Sequence, residues 1–222
     1  MSESRDKILK NLKNNAGIQS PVQSHSENIE KRIQDSIDRI TPDNYDDLKK
    51  QFQEELELTS SEFFTVQNTD DLVKTINRLL QQCGIKKAAI SGCEFCNEII
   101  SNSGDIEFVK AVDLEYPERK KELALISAAL VEASCALADT GTLVFLFDEC
   151  RTTLPHFLSE FVIAVIRKDN LMANQFDFFK KVPADRIRNM VFMSGPSRTA
   201  DIEKILILGA HGPRRLAVIL LE

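Results

Sequence analysis

From about residue 62 onward, short apolar runs rich in β-branched residues alternate with stretches of helical period. This alternation restricts the fold more than any other feature of the chain. Thr142–Phe147 and Phe161–Arg167 are the plainest runs. Both are short for a helix and apolar on both faces, as a strand enclosed within a sheet must be. Phe63–Val66, Lys87–Ser91, Ile106–Val112, Asn189–Ser194 and Leu216–Leu221 read as further strands. Between them, Leu72, Val73, Ile76, Leu79 and Leu80 mark one face of a helix that closes at Cys83-Gly84. Helices are also expected through Asn97–Ile100, Glu118–Ala128 and Phe176–Lys181, while residues 129–138 fit strand or helix. The alternation predicts an α/β protein with a mainly parallel sheet flanked by helices.

The first 62 residues differ. They carry 9 Lys+Arg and 13 Asp+Glu with one glycine, Gly17, and the other seven glycines follow. Ile29, Ile33, Ile37 and Ile40 form a single helical stripe. Thr41-Pro42 predicts a helix restart, with Thr as N-cap and Pro at the first helical position. Tyr45, Leu48, Phe52 and Leu56 then continue the period. Residues 1–62 are expected to be a mostly helical segment that packs on, or docks beside, an α/β domain over residues 63–222.

Composition narrows the function classes. The chain's 28 Lys+Arg against 34 Asp+Glu give a formal charge of −6, which argues against nucleic acid or an anionic membrane as partner. Hydrophobic residues make up 43%, enough for a buried core. No apolar stretch reaches the length of a membrane span, and Met1 to Lys10 is charged, so a cytoplasmic location is expected. Five cysteines form no disulfide framework.

Residues able to carry chemistry gather late in the chain. Five of the twelve arginines and three of the eight glycines fall in the last 38 residues. Within them stand Ser194-Gly195-Pro196-Ser197-Arg198-Thr199-Ala200-Asp201-Ile202-Glu203 and Gly209-Ala210-His211-Gly212-Pro213-Arg214-Arg215. Small residues let backbone N–H groups approach a ligand, and Arg offers a planar fork to a carboxylate or phosphate. Ser194–Thr199 would lie at the carboxyl ends of the strands, where open α/β sheets bind ligands. The plain alternative is a pair of Gly-Pro turns with solvated arginines paired to Asp201 and Glu203.

Asp139-Thr140-Gly141-Thr142 precedes a strand and offers two hydroxyls and an unhindered amide, or else is a simple entry turn. Arg151 and His156 follow that strand, and His156 is either a general base for the same cleft or an exposed loop residue. Cys93-Glu94-Phe95-Cys96 has the spacing of a redox pair at a helix start, but incidental thiols explain it equally simply. No phosphate-binding glycine loop, dinucleotide fingerprint or zinc-peptidase motif is present, and no metal site is expected.

Taken in order, Ser4-Arg5-Asp6, Ala138-Asp139-Thr140-Gly141-Thr142, the run Gly195–Glu203 and Gly209–Arg214 resemble the lactate utilization protein C family of the LUD-domain group. The resemblance spans nearly the whole chain, and Pro196–Glu203 is its most specific part. Asp139 stands where Glu is common, and the Cys93/Cys96 pair is not part of the family pattern. The resemblance implies a fold similar to the sugar-isomerase/CoA-transferase-like class, which includes 5-formyltetrahydrofolate cyclo-ligase. It further implies one component of an iron–sulfur-containing system that oxidises L-lactate to pyruvate. The iron–sulfur clusters would lie on partner subunits, leaving no cofactor on this chain.

For a small carboxylate ligand, Arg198 or Arg214 would clamp the carboxylate and His211 or Asp201 would take the hydroxyl proton. Thr140, Gly141 and Thr142 would add hydrogen bonds, and Gly195, Ser197, Thr199, Glu203 and Gly212 complete the expected binding set. Arg198 paired internally with Asp201 or Glu203 would instead shape the loop. Two further alternatives are a stand-alone acyl-CoA or folate enzyme of the same fold and an assembly subunit without catalysis.

Overall fold

Strands whose every residue is apolar need cover on both faces, and the structure supplies it from both sides. The computed structural model describes residue 42 and residues 44–91, 94–102, 104–114, 118–147, 152–182, 189–200, 206–209 and 211–222. The isoleucine stripe Ile29 to Ile40 and the Ser4-Arg5-Asp6 motif lie outside them.

In chain order come α1 (Tyr45–Leu58), β1 (Glu62–Val66), α2 (Thr69–Gln82), β2 (Lys87–Ile90), α3 (Glu94–Ser101), β3 (Glu107–Lys110) and α4 (Glu118–Leu123). There follow β4 (Ala128–Glu132), β5 (Cys135–Leu137), a 3₁₀ turn (Ala138–Thr140), β6 (Thr142–Phe147), α5 (Leu154–Leu158) and β7 (Phe161–Arg167). The chain ends with β8 (Leu171–Met172), α6 (Gln175–Lys181), β9 (Asn189–Met193), β10 (Arg198–Ala200), β11 (Leu206–Leu208) and β12 (Arg215–Leu221).

Six strands form an all-parallel sheet in the order β1-β12-β7-β4-β2-β3. Its central strands are the most apolar: Phe161–Ile166 of β7 and Leu216–Leu220 of β12 are buried throughout. Each large side chain enclosed this way contributes roughly 1.5–3 kcal/mol. One face is covered by α2, through Leu72, Ile76, Leu79 and Leu80, and by Ile99 of α3. The other face packs on Phe52 and Leu56 of α1 and on Ala136, Leu143 and Phe145 of a second sheet. That sheet is four-stranded and mixed, β8-β5-β6-β9, with β5–β6 and β6–β9 antiparallel and β5–β8 parallel. Phe178 of α6 closes its far side against Cys135, Leu137 and Val144. A two-stranded ribbon, β10–β11, completes the described sheets.

The helix ends follow local chemistry. Asn68 caps α2 by accepting a hydrogen bond from Asp71 N, and Gly84 at φ +66° ends the turn that follows, as Cys83-Gly84 predicts. Asn44, not Thr41, caps α1: its side chain accepts from Asp47 N at 3.0 Å, and the helix begins at Tyr45. The helix expected over Glu118–Ala128 stops at Leu123. Leu125 is 86% exposed and Ser127 O already accepts from Phe161 N, so the chain is entering the sheet before Ala128 opens β4. Thr142–Phe147 has its expected bounds but belongs to the smaller mixed sheet, antiparallel to both its neighbours, rather than to the parallel one.

The turn between β5 and β6 is pressed against α1. Gly141 sits at φ +58°, and a Cβ there would lie 2.8 Å from Leu56 N and 2.9 Å from Glu55 C. Left-handed backbone alone costs an L-residue about 1–2 kcal/mol, and displacing a helix backbone adds to that. Gly141→Ala is therefore expected to destabilise the protein by at least about 2 kcal/mol in urea titration. A change within about 0.5 kcal/mol would show that α1 and the turn are not in close contact.

Candidate functional site

The polar loops meet at the last turn of α1. Thr59 ends that helix, and its Oγ1 donates to Leu56 O at 2.7 Å and lies 2.8 Å from Ser61 Oγ. The guanidinium of Arg198 reaches the same point, with Nη2 donating to Thr59 O at 2.7 Å. A cation is favoured there, because unsatisfied carbonyls make a helix C-terminus negative. Gly195, at φ +140°, runs so close that a Cβ would lie 2.7 Å from both Cβ and Oγ1 of Thr59. Leu58, Thr59, Ser194, Gly195, Pro196 and Arg198 line an open cleft at this junction.

A line of hydroxyls runs from Ser194 at the cleft through buried Thr142 to exposed Thr140 and half-buried Asp139. Ser194 Oγ lies 2.7 Å from Thr142 Oγ1. Thr142, only 4% exposed, donates to Thr140 Oγ1 at 2.8 Å, with Thr140 O 3.4 Å away. Thr140 Oγ1 in turn donates to Asp139 Oδ1 at 3.1 Å. Burial pushes the Asp139 carboxyl above the ordinary carboxylate value, opposed by the Thr140 hydrogen bond and reinforced by the charge of Asp177.

The cleft's position in the fold differs from the one expected. Ser194 follows β9, but β9 is in the smaller mixed sheet, antiparallel to β6. Ser197 N donates to Pro213 O just before β12, Arg214 N donates to Glu160 O just before β7, and Arg198 holds Thr59 just before β1. The loop therefore lies at the amino edge of the parallel sheet, not at the carboxyl ends of its strands. The topological rule fails because it assumes the strand feeding the loop belongs to the parallel set.

The remaining sequence-derived residues separate into groups. Ser197 organises the following turn: its O accepts from Gly209 N, its Oγ accepts from His211 N at 3.2 Å, and a Cβ on Gly212 would touch its Cβ at 3.3 Å. His211 is exposed beside it. Arg214 packs over Gly209, and its Nη1 stands 3.8 Å from Glu160 Oε1, an exposed pair of little energetic weight. Thr199 pairs with Ile207 through the β10–β11 ribbon, and its side chain lies outside the described residues. Asp201, Glu203, Arg151 and Cys93 lie outside them altogether, as does the Cys96 side chain.

Arg215 stands in the arginine-rich C-terminal run, but the sequence reading gives it no specific role. It forms a forked pair with Glu62, donates from Nη1 to Cys83 Sγ at 2.8 Å and stacks 4.3 Å over the Phe161 ring, tying β12 to β1. Ser194 falls within the loop singled out from sequence, whereas Thr59 was missed as a cleft residue. Leu58-Thr59-Ser60-Ser61 signals a helix end, but nothing local shows which distant loop will meet it. Among the described residues, no three His, Cys, Asp or Glu side chains gather closely enough to hold a metal ion. Nor is any described helix long and apolar enough to cross a membrane.

Fold and cleft together define an α/β protein with a parallel sheet backed by a smaller mixed one and a polar cleft at the amino edge. The LUD-domain family model matches residues 49–221, and the chain belongs to that family. It is 29% identical over 208 residues to Lactate utilization protein C 1 of Bacillus mycoides, covering 80% of each chain. Its identity to Lactate utilization protein C of Oceanobacillus iheyensis is 22% over 230 residues, covering 98% of each. The crystal structure of a DUF162 family protein from Deinococcus radiodurans matches with a TM-score of 0.63 at 20% identity, over 82% of this chain and all of that one. That last likeness is one of fold.

His156 belongs to the core, not to the cleft or an exposed loop. It lies in α5 at 1% exposure, its ring edge-on to Phe145 at 4.6 Å and Phe147 at 5.0 Å. Burial lowers its pKa from 6.5 to about 4. The unfolded chain thus binds the proton first. The stability this neutral imidazole contributes is complete above pH 6.5 and is lost as pH falls through the window towards 4, by about 3 kcal/mol in all. Wild type compared with His156→Phe in urea titrations at pH 7 and pH 4.5 should reveal most of that loss in wild type only. A wild-type-minus-variant difference that does not change with pH would contradict the buried neutral histidine.

Proposed function

We propose that this chain serves lactate utilization in the cytoplasm as the subunit that binds a small 2-hydroxycarboxylate, while iron–sulfur partner subunits take the electrons as L-lactate becomes pyruvate. The observation that carries this reading is its end-to-end likeness to chains named lactate utilization protein C. Conversion of lactate to pyruvate releases two electrons and two protons, and the electron sink is assigned to the partners. The chain's own task is to hold and orient the anion.

The cleft has chemistry suited to that task. One of Arg198's N–H groups is committed to Thr59 O, which fixes the guanidinium plane and leaves the rest of the fork for a carboxylate. Leu58 and Pro196 offer an apolar wall for a methyl group, and Ser194 and Thr59 bring hydroxyl oxygens. Gly195 allows these parts to come together, since any side chain there would strike Thr59.

Isothermal titration of L-lactate into the purified chain tests the clamp. Arg198→Lys keeps the charge but not the fork, and charged hydrogen bonds are worth about 1.5–3 kcal/mol. Lactate Kd is expected to rise by about tenfold or more, with little change in the urea midpoint. Unchanged binding together with lower stability would make Arg198 a capping cation for α1 and nothing more.

A further inference from the structure

We infer that the hydroxyl chain Ser194–Thr142–Thr140–Asp139 sets the cleft's hydrogen-bond polarity and so makes it select a hydroxy acid over the corresponding keto acid. The inference rests on the carboxylate-binding reading above and adds the residues that decide specificity.

Its basis is proton counting. A hydroxyl has one proton, and an ionised carboxylate has none to offer. Thr140 gives its proton to Asp139 Oδ1. Thr142 gives its own to Thr140 Oγ1 at 2.8 Å, because the Thr140 proton is already committed to Asp139 and that contact needs one. The contact between Ser194 and Thr142 at 2.7 Å must then be donated by Ser194. Ser194 Oγ, which lines the cleft, is left with lone pairs only. Thr59 has the same character, because its proton goes to Leu56 O and the contact with Ser61 must be donated by Ser61.

The cleft therefore offers a cationic fork from Arg198 and two oxygens that can only accept. A carboxylate with a neighbouring O–H satisfies both kinds of group. A carboxylate with a neighbouring C=O sets its oxygen against oxygens that have no proton to give, the mismatch that discriminates best between near-isosteric ligands. Thr142 is buried, so water cannot readily take its place between Ser194 and Thr140. Thr140, Thr142 and Asp139 thus act as positioning residues through Ser194.

The test is calorimetric titration of the full chain at pH 7.5 with L-lactate and with pyruvate. Wild type should bind lactate at least about tenfold more tightly, a difference of about 1.4 kcal/mol. Thr142→Val matches the side chain in shape but breaks the line, and should bring the ratio of the two Kd values close to one, mainly through weaker lactate binding. Asp139→Asn should act differently. Its amide can donate to Thr140, which lets the line reverse and Ser194 donate, so pyruvate binding should tighten several-fold. A merely structural role for Asp139 would weaken both ligands alike. Ratios within twofold of wild type in both variants, or equal weakening of both ligands in Asp139→Asn, would overturn the inference. If wild type binds neither acid, the carboxylate-binding reading fails and takes this inference with it.

Discussion

The arrangement depends on how closely two loops approach the last turn of α1. Gly141 and Gly195 each hold backbone at positive φ, and each lies where a Cβ would collide with the helix end, at Leu56 and Thr59 respectively. The first contact seats the β5–β6 hairpin against α1, and the second brings the strand β9 and its following loop to the same place. Because α1 also packs through Phe52 and Leu56 onto the parallel sheet, these two approaches fix the small sheet relative to the large one. The cleft is a by-product of that packing. Its lining comes from the end of α1, the loop after β9 and the first residue of β10, parts far apart in sequence.

The amino edge is an unusual place for such a cleft in a parallel sheet, and helix chemistry explains how it is tolerated. Helices that end at this edge present carbonyls, which repel an anion. Here the Thr59 and Ser61 hydroxyls and the Arg198 guanidinium are gathered on the end of α1. Arg198 both compensates the helix terminus and supplies positive charge to the cleft, so a structural role and the proposed ligand-binding role meet in one side chain. The Arg215–Glu62 fork does purely structural work nearby, joining the starts of two neighbouring parallel strands.

Much of the fold was legible because apolar runs and helical period report burial directly. Thr142–Phe147 and Phe161–Arg167 have the bounds read from sequence, and the helical face Leu72 to Leu80 is buried as its spacing predicts. What periodicity does not contain is the partner of each strand. Thr142–Phe147 is as apolar as a parallel strand, yet it turns back on β5 through the tight turn closed by Gly141. The cleft inherited that ambiguity. Ser194–Arg198 was singled out as a place for chemistry, but its edge of the sheet followed from the wrong strand set. Thr59 was invisible because it is 139 residues from Arg198, the residue that gives it meaning. His156 shows the limit in reverse, since nothing in Leu154-Pro155-His156 reveals that two phenylalanines of β6 will enclose it.

The most direct test of the account is where a small 2-hydroxycarboxylate binds. In a ¹⁵N-labelled sample titrated with L-lactate, amide shifts should concentrate at Thr59, Ser61, Ser194, Gly195 and Arg198. Shifts concentrated instead at Gln67, Ser91 and Ala133, which follow β1, β2 and β4 at the opposite edge of the parallel sheet, would contradict it.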